Sequence, residues 1–567
     1  MQSLMGDTNL DAEQAKVIFS KSKKIIVEAP AGFGKTYTMI SLLDSWLKTS
    51  AIKNYKKILC LSFSLSAVNR MKDSLQRLQK NTYENNLLPI ITTNYHGIGR
   101  RILNKYGTHV GLSQPIDDYE NSEDVDGVPT EIQQTIQKFK NNIKTDSFSE
   151  NQLLIEIKEY NNYIRKFYLP KSIIPYDGII TLTIELFQSF PNLKQFYGSY
   201  FSAICIDEFQ DTNRLQLTLV HTLMNKNTRF VAFGDSMQRI YGFMGAINNL
   251  IDQEILDDSV EYIRLKKNYR FTNSPNMNLL DRNLRDFRTN MTKFFPKEIP
   301  SIRTIHGINI QDEAKKIARI INEVYSDKNE KVALLFSQNS KTTKELLKYL
   351  AEQNISFYNG FFRDDDENFV NFQNSASELF KKRYFKKSFK QSDISVFINF
   401  LKKQIDESEF LPSFLSLLEG LLRKAVESVD PINRTEYVKD ILSRHVLNQS
   451  VDEINDRVYV NTIHGAKGLE WDYVIVANFE NNELPNYYDM QRIGTFSNEG
   501  HLVVNNENVE AIAELINKFY VAFTRAKKEV ILSYSDIHWE GNRQKHAKIS
   551  CLAHISVMKT EEFHFDI

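Results

Sequence analysis

Cysteine is scarce in this chain: three in 567 residues, Cys60, Cys205 and Cys551, far apart and with no CxxC pair. That scarcity excludes a disulfide framework and a cysteine-based zinc or iron–sulfur module. Two of the three sit in apolar, strand-like runs, KKILCLSF and SAICIDEF, where cysteine acts as a small buried hydrophobe. Net charge is absent as well, because 71 Lys+Arg balance 71 Asp+Glu. This neither demands nor excludes nucleic acid, since a basic groove can be offset by acidic surface elsewhere. No segment approaches ~18 consecutive apolar residues and the N-terminus has no secretory h-region, so the expected location is cytoplasmic. Internal repeats and low-complexity stretches are missing too. What remains is a globular composition, 42% apolar, 25% charged and 12% aromatic, at a length that calls for two or more domains.

The stretch VEAPAGFGKTYTM, Val27 to Met39, carries the first chemistry. The pattern predicts a strand over Lys24–Glu28, a loop, and a helix from about Lys35 to Lys48, the context a phosphate-binding loop requires. The loop would comprise Ala29, Pro30, Ala31, Gly32, Phe33, Gly34, Lys35 and Thr36, with Ala29 in place of the pattern's first glycine. Amides at the helix start and the helix dipole favour an anion there. Gly32 and Gly34 let the backbone approach it, Lys35 would reach the β- and γ-phosphates, and Thr36 would ligate Mg²⁺. The blander reading is a glycine turn before a helix.

SAICIDEFQDTN leads an apolar run into Asp207 and Glu208 at a strand's carboxyl end, the edge where open α/β sheets bind ligands. Asp207 is expected to hold the metal through water, and Glu208 to polarise the attacking water. Acids at a strand end can otherwise be helix caps. FVAFGDSMQRIYGFMGA adds another buried strand, a turn at Gly234-Asp235, and Gln238, which would contact a γ-phosphate and report its loss. Tyr241 and Phe243 follow, read either as core aromatics or as stacking platforms for bases.

In chain order, LDAEQAKVI, APAGFGKT, CLSFSLSAVNRMK, TNYHGIGRRIL, IDEFQDTN, LKKNYRFTNS, VNTIHGAKGLEWDYV and FYVAFTRAKK resemble the motifs of UvrD/Rep/PcrA-like superfamily 1 (type A) helicases. The resemblance implies an α/β fold of two RecA-like P-loop NTPase lobes, with ATP and Mg²⁺ between them. Each lobe would consist of a parallel sheet flanked by helices and be interrupted by a mainly helical insertion. It also implies that Gln14 reads the adenine, that Tyr269 stacks on it, and that Glu470 approaches the sugar or phosphates. Arg270 and Arg525 would reach the γ-phosphate from the second lobe's side, completing a catalytic set with Lys35, Glu208 and Gln238. A guanidinium supplied across an interface stabilises a phosphoryl transition state only when that interface closes. DNA contacts are implied for Phe63, Tyr95, His96 and Phe243 on the first lobe and for Thr462 and His464 on the second. Aromatic stacking accepts any base at about 1–3 kcal/mol each, and either histidine reads otherwise as an ordinary hydrogen-bonded one.

Two departures stand out: Leu65 where the family favours Asn, and Met244 where an Arg commonly follows the aromatic. Met supplies neither that charge nor that fork, so hydrolysis is expected while tight coupling to strand separation stays open. The first lobe is expected over 1–103 and 175–275 with an insertion at 104–174. The second is expected over 276–362 and 452–567 with a reduced insertion at 363–451. The first insertion holds DDYENSEDVDGVPTE, seven acids in fifteen residues, read as a solvated loop. The second holds KKRYFKKSFK, read as a helix with a solvated basic face or as a grip on phosphates and bases. The acid run Asp364–Glu367 is read as surface. About forty residues follow the T-R-A motif, too few for a nuclease domain. The expected function is an ATP-dependent DNA helicase or translocase moving 3′ to 5′ on single-stranded DNA and acting at single-strand/duplex junctions. The alternative is a DNA-sensing NTPase that activates a separately encoded nuclease in repair or anti-phage defence.

Overall fold

The computed structural model describes residues 10–49, 55–63, 67–72, 74–75, 89–325, 327, 329–364, 366–384, 387, 389–443, 446–494, 496, 502–540 and 543–563. The chain forms two compact units, Met1–Arg270 and Phe271–Ile567.

The first unit is built on six parallel strands: β1 (Lys24–Glu28), β2 (Lys57–Ser62), β3 (Ile90–Asn94), β4 (Phe201–Asp207), β5 (Arg229–Gly234) and β6 (Val260–Arg264). Their order is β3-β2-β4-β5-β1-β6. Alternate residues of these apolar runs serve opposite faces. Ile25, Val27, Ile58, Cys60 and Cys205 pack with Met39, Leu42 and Trp46 of the helix Lys35–Lys48. Ile26, Leu59, Leu61, Ile204 and Ile206 pack on the other face with the helices Tyr95–Tyr106, Tyr176–Ser189 and Arg214–Leu223. Cys60 and Cys205 are register partners on neighbouring strands, and all three cysteines are buried free thiols. The helices Thr130–Lys144 and Glu150–Tyr163, between β3 and β4, share that second core through Phe139, Ile157 and Tyr160. The acidic stretch before them is only partly solvated, because Glu123 pairs with Lys140 and accepts from the Tyr176 amide at 3.0 Å.

The second unit has seven parallel strands: β7 (Ser301–Gly307), β8 (Val332–Phe336), β9 (Tyr358–Asn359), β10 (Val458–Thr462), β11 (Trp471–Val476), β12 (Ala526–Ser535) and β13 (Lys559–Glu562). They lie in the order β9-β10-β8-β11-β12-β7-β13. Between β9 and β10 come four helices, Glu367–Arg383, Asp393–Lys402, Leu411–Ser428 and Arg434–Ser443. Phe369, Phe380, Phe397 and Phe414 are buried among them. Tyr384 and Phe389 of the basic stretch are buried too, so these two aromatics do not face a strand, whereas Lys381, Lys382, Arg383 and Lys390 are exposed. Phe385, Lys386, Ser388 and, in the acid run, Asp365 lie outside the described residues. Among the described residues no helix is long and apolar enough to cross a membrane, and no metal-ligating cluster is present.

The unit boundary falls at Arg270, five residues before the expected 275. The reason is local. Tyr269 is hydrogen-bonded to the phosphate loop of the first unit, while Phe271 stacks on Phe523 of the second.

On the helix Ile310–Arg319, Glu313 is fully buried, and burial with nearby Glu480 pushes its carboxyl up to about 8. A raised carboxyl pKa means the folded state holds a proton that the unfolded chain releases. Stability is therefore full below about 4.5 and is lost as pH rises through about 8. Glu313→Gln is expected to leave the urea midpoint nearly unchanged at about pH 5 and to raise it at about pH 9.

Candidate functional site

The loop after β1 is fastened from both sides. The Ala29 amide donates to Gly234 O at 2.8 Å and the Phe33 amide to Pro30 O at 3.1 Å. Gly32 and Gly34 have φ of +83° and +79°, a region that side chains avoid. Gly34 starts the helix Lys35–Lys48 with no side-chain cap, so the first-turn amides point into the loop, the arrangement that receives a phosphate. Thr36 is exposed in that turn. Lys35 Nζ lies 3.1 Å from Asp207 Oδ1 and is hydrogen-bonded to Glu208. Burial lowers the Lys35 pKa, but the two carboxylates outweigh it and hold the ammonium well above its ordinary value.

A hydrogen-bonded line runs on from Glu208, itself in the left-handed region at φ +56°. Gln210 Nε2 donates to Glu208 Oε2 at 2.5 Å, and Gln210 Oε1 accepts from the Asp235 amide at 3.0 Å. Gln238 Nε2 then donates to Asp235 Oδ2 at 2.9 Å. Gln210 and Asp235 were not among the predicted site residues. The signal was present in I-D-E-F-Q-D, where a polar residue two places past the acid pair is carried back to the same strand edge.

The N-Y-R segment lies directly on the loop. The Tyr269 amide donates to Gly32 O at 2.8 Å, Asn268 Nδ2 to Ala31 O at 3.5 Å, and the Arg270 amide to Asn268 Oδ1 at 2.9 Å. A Cβ on Gly32 would stand 2.6 Å from Arg270 Cβ. Arg270 is the last residue of the first unit, and its Cβ stands beside the loop. Gln14 is buried beside Gly34, and its Oε1 accepts from the Asp11 amide at 3.1 Å and from Tyr269 OH at 3.5 Å. The expected base-reading pair is thus brought together. Arg525, in the second unit, is buried and donates to Val521 O, Leu469 O and Thr524 Oγ1 at 3.0, 3.3 and 3.1 Å. Glu470, next to Leu469, is exposed.

Of the expected DNA contacts, Phe63 stacks on Tyr241 with centroids 5.0 Å apart, and Phe243 is 64% exposed beside them. Tyr95 is a correction: it is 1% exposed, with its hydroxyl 2.9 Å from Thr212 Oγ1, and serves the core rather than a strand. His96 stacks on Tyr176 at 3.7 Å, and its Nε2 has no hydrogen-bond partner among the described residues. Burial, and then Arg100, push its pKa down to about 3, so the ring is neutral. Thr462 ends β10, its Oγ1 accepting from the Gly465 amide at 3.0 Å, and half-buried His464 follows. Leu65 lies outside the described residues.

Residues 10–257 match the family model of the UvrD/REP helicase N-terminal domain, and residues 363–536 that of the UvrD-like helicase C-terminal domain. The chain belongs to the UvrD-like helicase family. Among curated proteins it is similar to the ATP-dependent DNA helicases PcrA of Staphylococcus aureus and Staphylococcus epidermidis. Each is 28% identical over 287 residues, covering 47% of this chain and 38% of the relative. The chain thus spans about four-tenths of the length of those relatives in the matched region. As in a UvrD-like helicase, its two helix-flanked parallel sheets are RecA-like lobes. The N-Y-R segment falls between the two family matches, and it is the structure that ties it to the loop.

Proposed function

We propose that this chain is an ATP-dependent DNA motor that moves 3′ to 5′ along single-stranded DNA and opens single-strand/duplex junctions. The observation that carries this reading is the continuous line Lys35–Glu208–Gln210–Asp235–Gln238, which runs from the phosphate loop to the segment bearing Tyr241 and Phe243. Lys35 and the loop amides hold the β- and γ-phosphates. The Asp207 carboxylate and Thr36 hydroxyl are hard oxygen donors of the kind Mg²⁺ takes beside phosphates and water, and the ion supplies charge neutralisation there. Glu208 orients and polarises the attacking water, and Gln238 responds to the γ-phosphate. Gln14 and Tyr269 flank the base, with Arg270 beside the loop. Arg525 and Glu470 are the second lobe's contribution, and Arg525 must exchange its carbonyl partners for phosphate oxygens to act. Phe63, Phe243, His96, Thr462 and His464 grip the strand without reading its sequence. The helices within 363–451 are the second lobe's accessory insertion, and those between Asn104 and Ile174 the first lobe's.

The test is ATP turnover with and without single-stranded DNA, beside unwinding of duplexes carrying a 3′ or a 5′ tail. Stimulated turnover with opening of the 3′-tailed duplex is the expected result. Turnover indifferent to DNA would overturn the reading. Stimulation without unwinding would replace it with a DNA-sensing ATPase that works through a partner.

A further inference from the structure

We propose that Arg239 is the positioning residue that ties the nucleotide-side network to the strand-facing loop, a task the exposed, uncharged Met244 cannot perform. The inference rests on the motor reading above.

Arg239 follows Gln238 directly, closing the single turn Ser236–Gln238. Its Nη2 donates to Ala246 O at 2.8 Å, seven residues on, so the segment between is cinched into a closed loop. Gly242 makes room for this. A Cβ there would lie 3.2 Å from Arg239 Nη2 and 3.4 Å from Cζ, so the planar guanidinium rests against bare backbone. The rest of the loop is anchored independently. The Ile247 amide donates to Thr212 O at 3.1 Å, Ala246 bridges to Asn213, and Tyr241 stacks on Phe63. Gly245, at φ +89°, packs so closely on the Thr130–Lys144 helix that a Cβ would meet Lys144 Cα at 2.9 Å. Only the tip, Phe243 and Met244, is exposed.

At least two routes therefore join the acid-pair segment to the loop. One is the backbone through Thr212 and Asn213. A second is Glu208–Gln210–Asp235–Gln238, continued through one peptide bond into Arg239 and across to Ala246. The second passes through Gln238, the residue proposed to face the γ-phosphate. A shift of Gln238 moves the Arg239 backbone, and the guanidinium carries that shift to the loop's far end, where Phe243 is presented. Arg239 touches neither nucleotide nor strand in this scheme; it sets where Phe243 stands.

The experiment compares the parent with Arg239→Ala, Gln238→Ala and the double variant. It measures the stimulation of ATP turnover by oligo-dT, the affinity for a fluorescent ATP analogue, and the thermal midpoint. Arg239→Ala is expected to lose about tenfold of the stimulation, within the usual range of coupling between sites, while analogue affinity changes by less than about threefold. Because the two residues act in series, the double variant should match Gln238→Ala rather than sum the two losses. A loss confined to the thermal midpoint, full stimulation in Arg239→Ala, or an additive cycle each overturns the inference. Should Arg239→Ala fail to fold, Gly242→Val decides instead. It displaces the guanidinium while keeping the charge, and unchanged stimulation there also overturns the inference. A parent that hydrolyses ATP but ignores DNA overturns the motor reading and this inference with it. A stimulated parent with an equally stimulated Arg239→Ala overturns this inference alone.

Discussion

Lys35→Ala is expected to lower ATP turnover by about a hundred- to a thousandfold and, separately, to destabilise the first unit. The first effect is the loss of a cation from the phosphates. The second follows from what Lys35 touches: Asp207 at 3.1 Å and Glu208, the three side chains being 13%, 11% and 18% exposed. Without the ammonium, two carboxylates on consecutive residues lose the cation they share. Removing one member of a buried pair costs roughly 3–5 kcal/mol, and the residual exposure of this one favours the lower end, about 3 kcal/mol. Urea unfolding and steady-state turnover separate the two effects. Adding Glu208→Gln to Lys35→Ala removes one of the two negative charges and should recover most of the lost stability and none of the turnover. A Lys35→Ala protein as stable as the parent would show that the triad contributes nothing to folding.

Gly32→Ala is expected to be nearly as damaging through a different route. At φ +83° an L-residue is strained by about 1–2 kcal/mol. The added methyl would also stand 2.6 Å from Arg270 Cβ and 2.8 Å from Asn268 Oδ1. The N-Y-R segment must lift off the loop, breaking the Tyr269–Gly32 backbone bond and withdrawing the aromatic ring from Gln14. Affinity for a fluorescent ATP analogue should fall more than about tenfold, roughly what a few kcal/mol of strain and lost contact imply. Gly34→Ala is the control. Its φ is similar, but the new methyl would meet the flexible end of Gln14 at 2.8 Å, so its defect should be smaller. Equal losses in the two variants would mean that backbone strain, not the N-Y-R contact, dominates.

The site was legible where its residues are close in sequence. The loop, the acid pair and the Gly234-Asp235 turn each announce themselves by an apolar strand followed at once by polar residues, and the sheet places those strand ends on one edge. What the sequence withheld depends on partners far along the chain. Tyr95 reads as a strand-facing aromatic until Thr212, 117 positions away, takes its hydroxyl. The contact of Arg270 Cβ with Gly32, 238 positions away, is likewise invisible in the sequence. The basic stretch from Lys381 reads first as a solvated helix face and second as a grip, and the burial of Tyr384 and Phe389 in the insertion's core removes those two as stacking groups. Glu313 is an ordinary acid on an amphipathic helix until packing buries it near Glu480.

The interior placement of all three cysteines has a practical side. Cys60 raises the Cys205 thiol by its hydrogen bond, with burial adding to the effect, and burial pushes Cys551 up to about 12. Free thiols buried in this way are inert to maleimides at neutral pH. A cysteine introduced at exposed Met244 would then be the sole labelling site on an otherwise unaltered protein. A fluorophore attached there would report, in real time, whether the loop tip moves when nucleotide arrives.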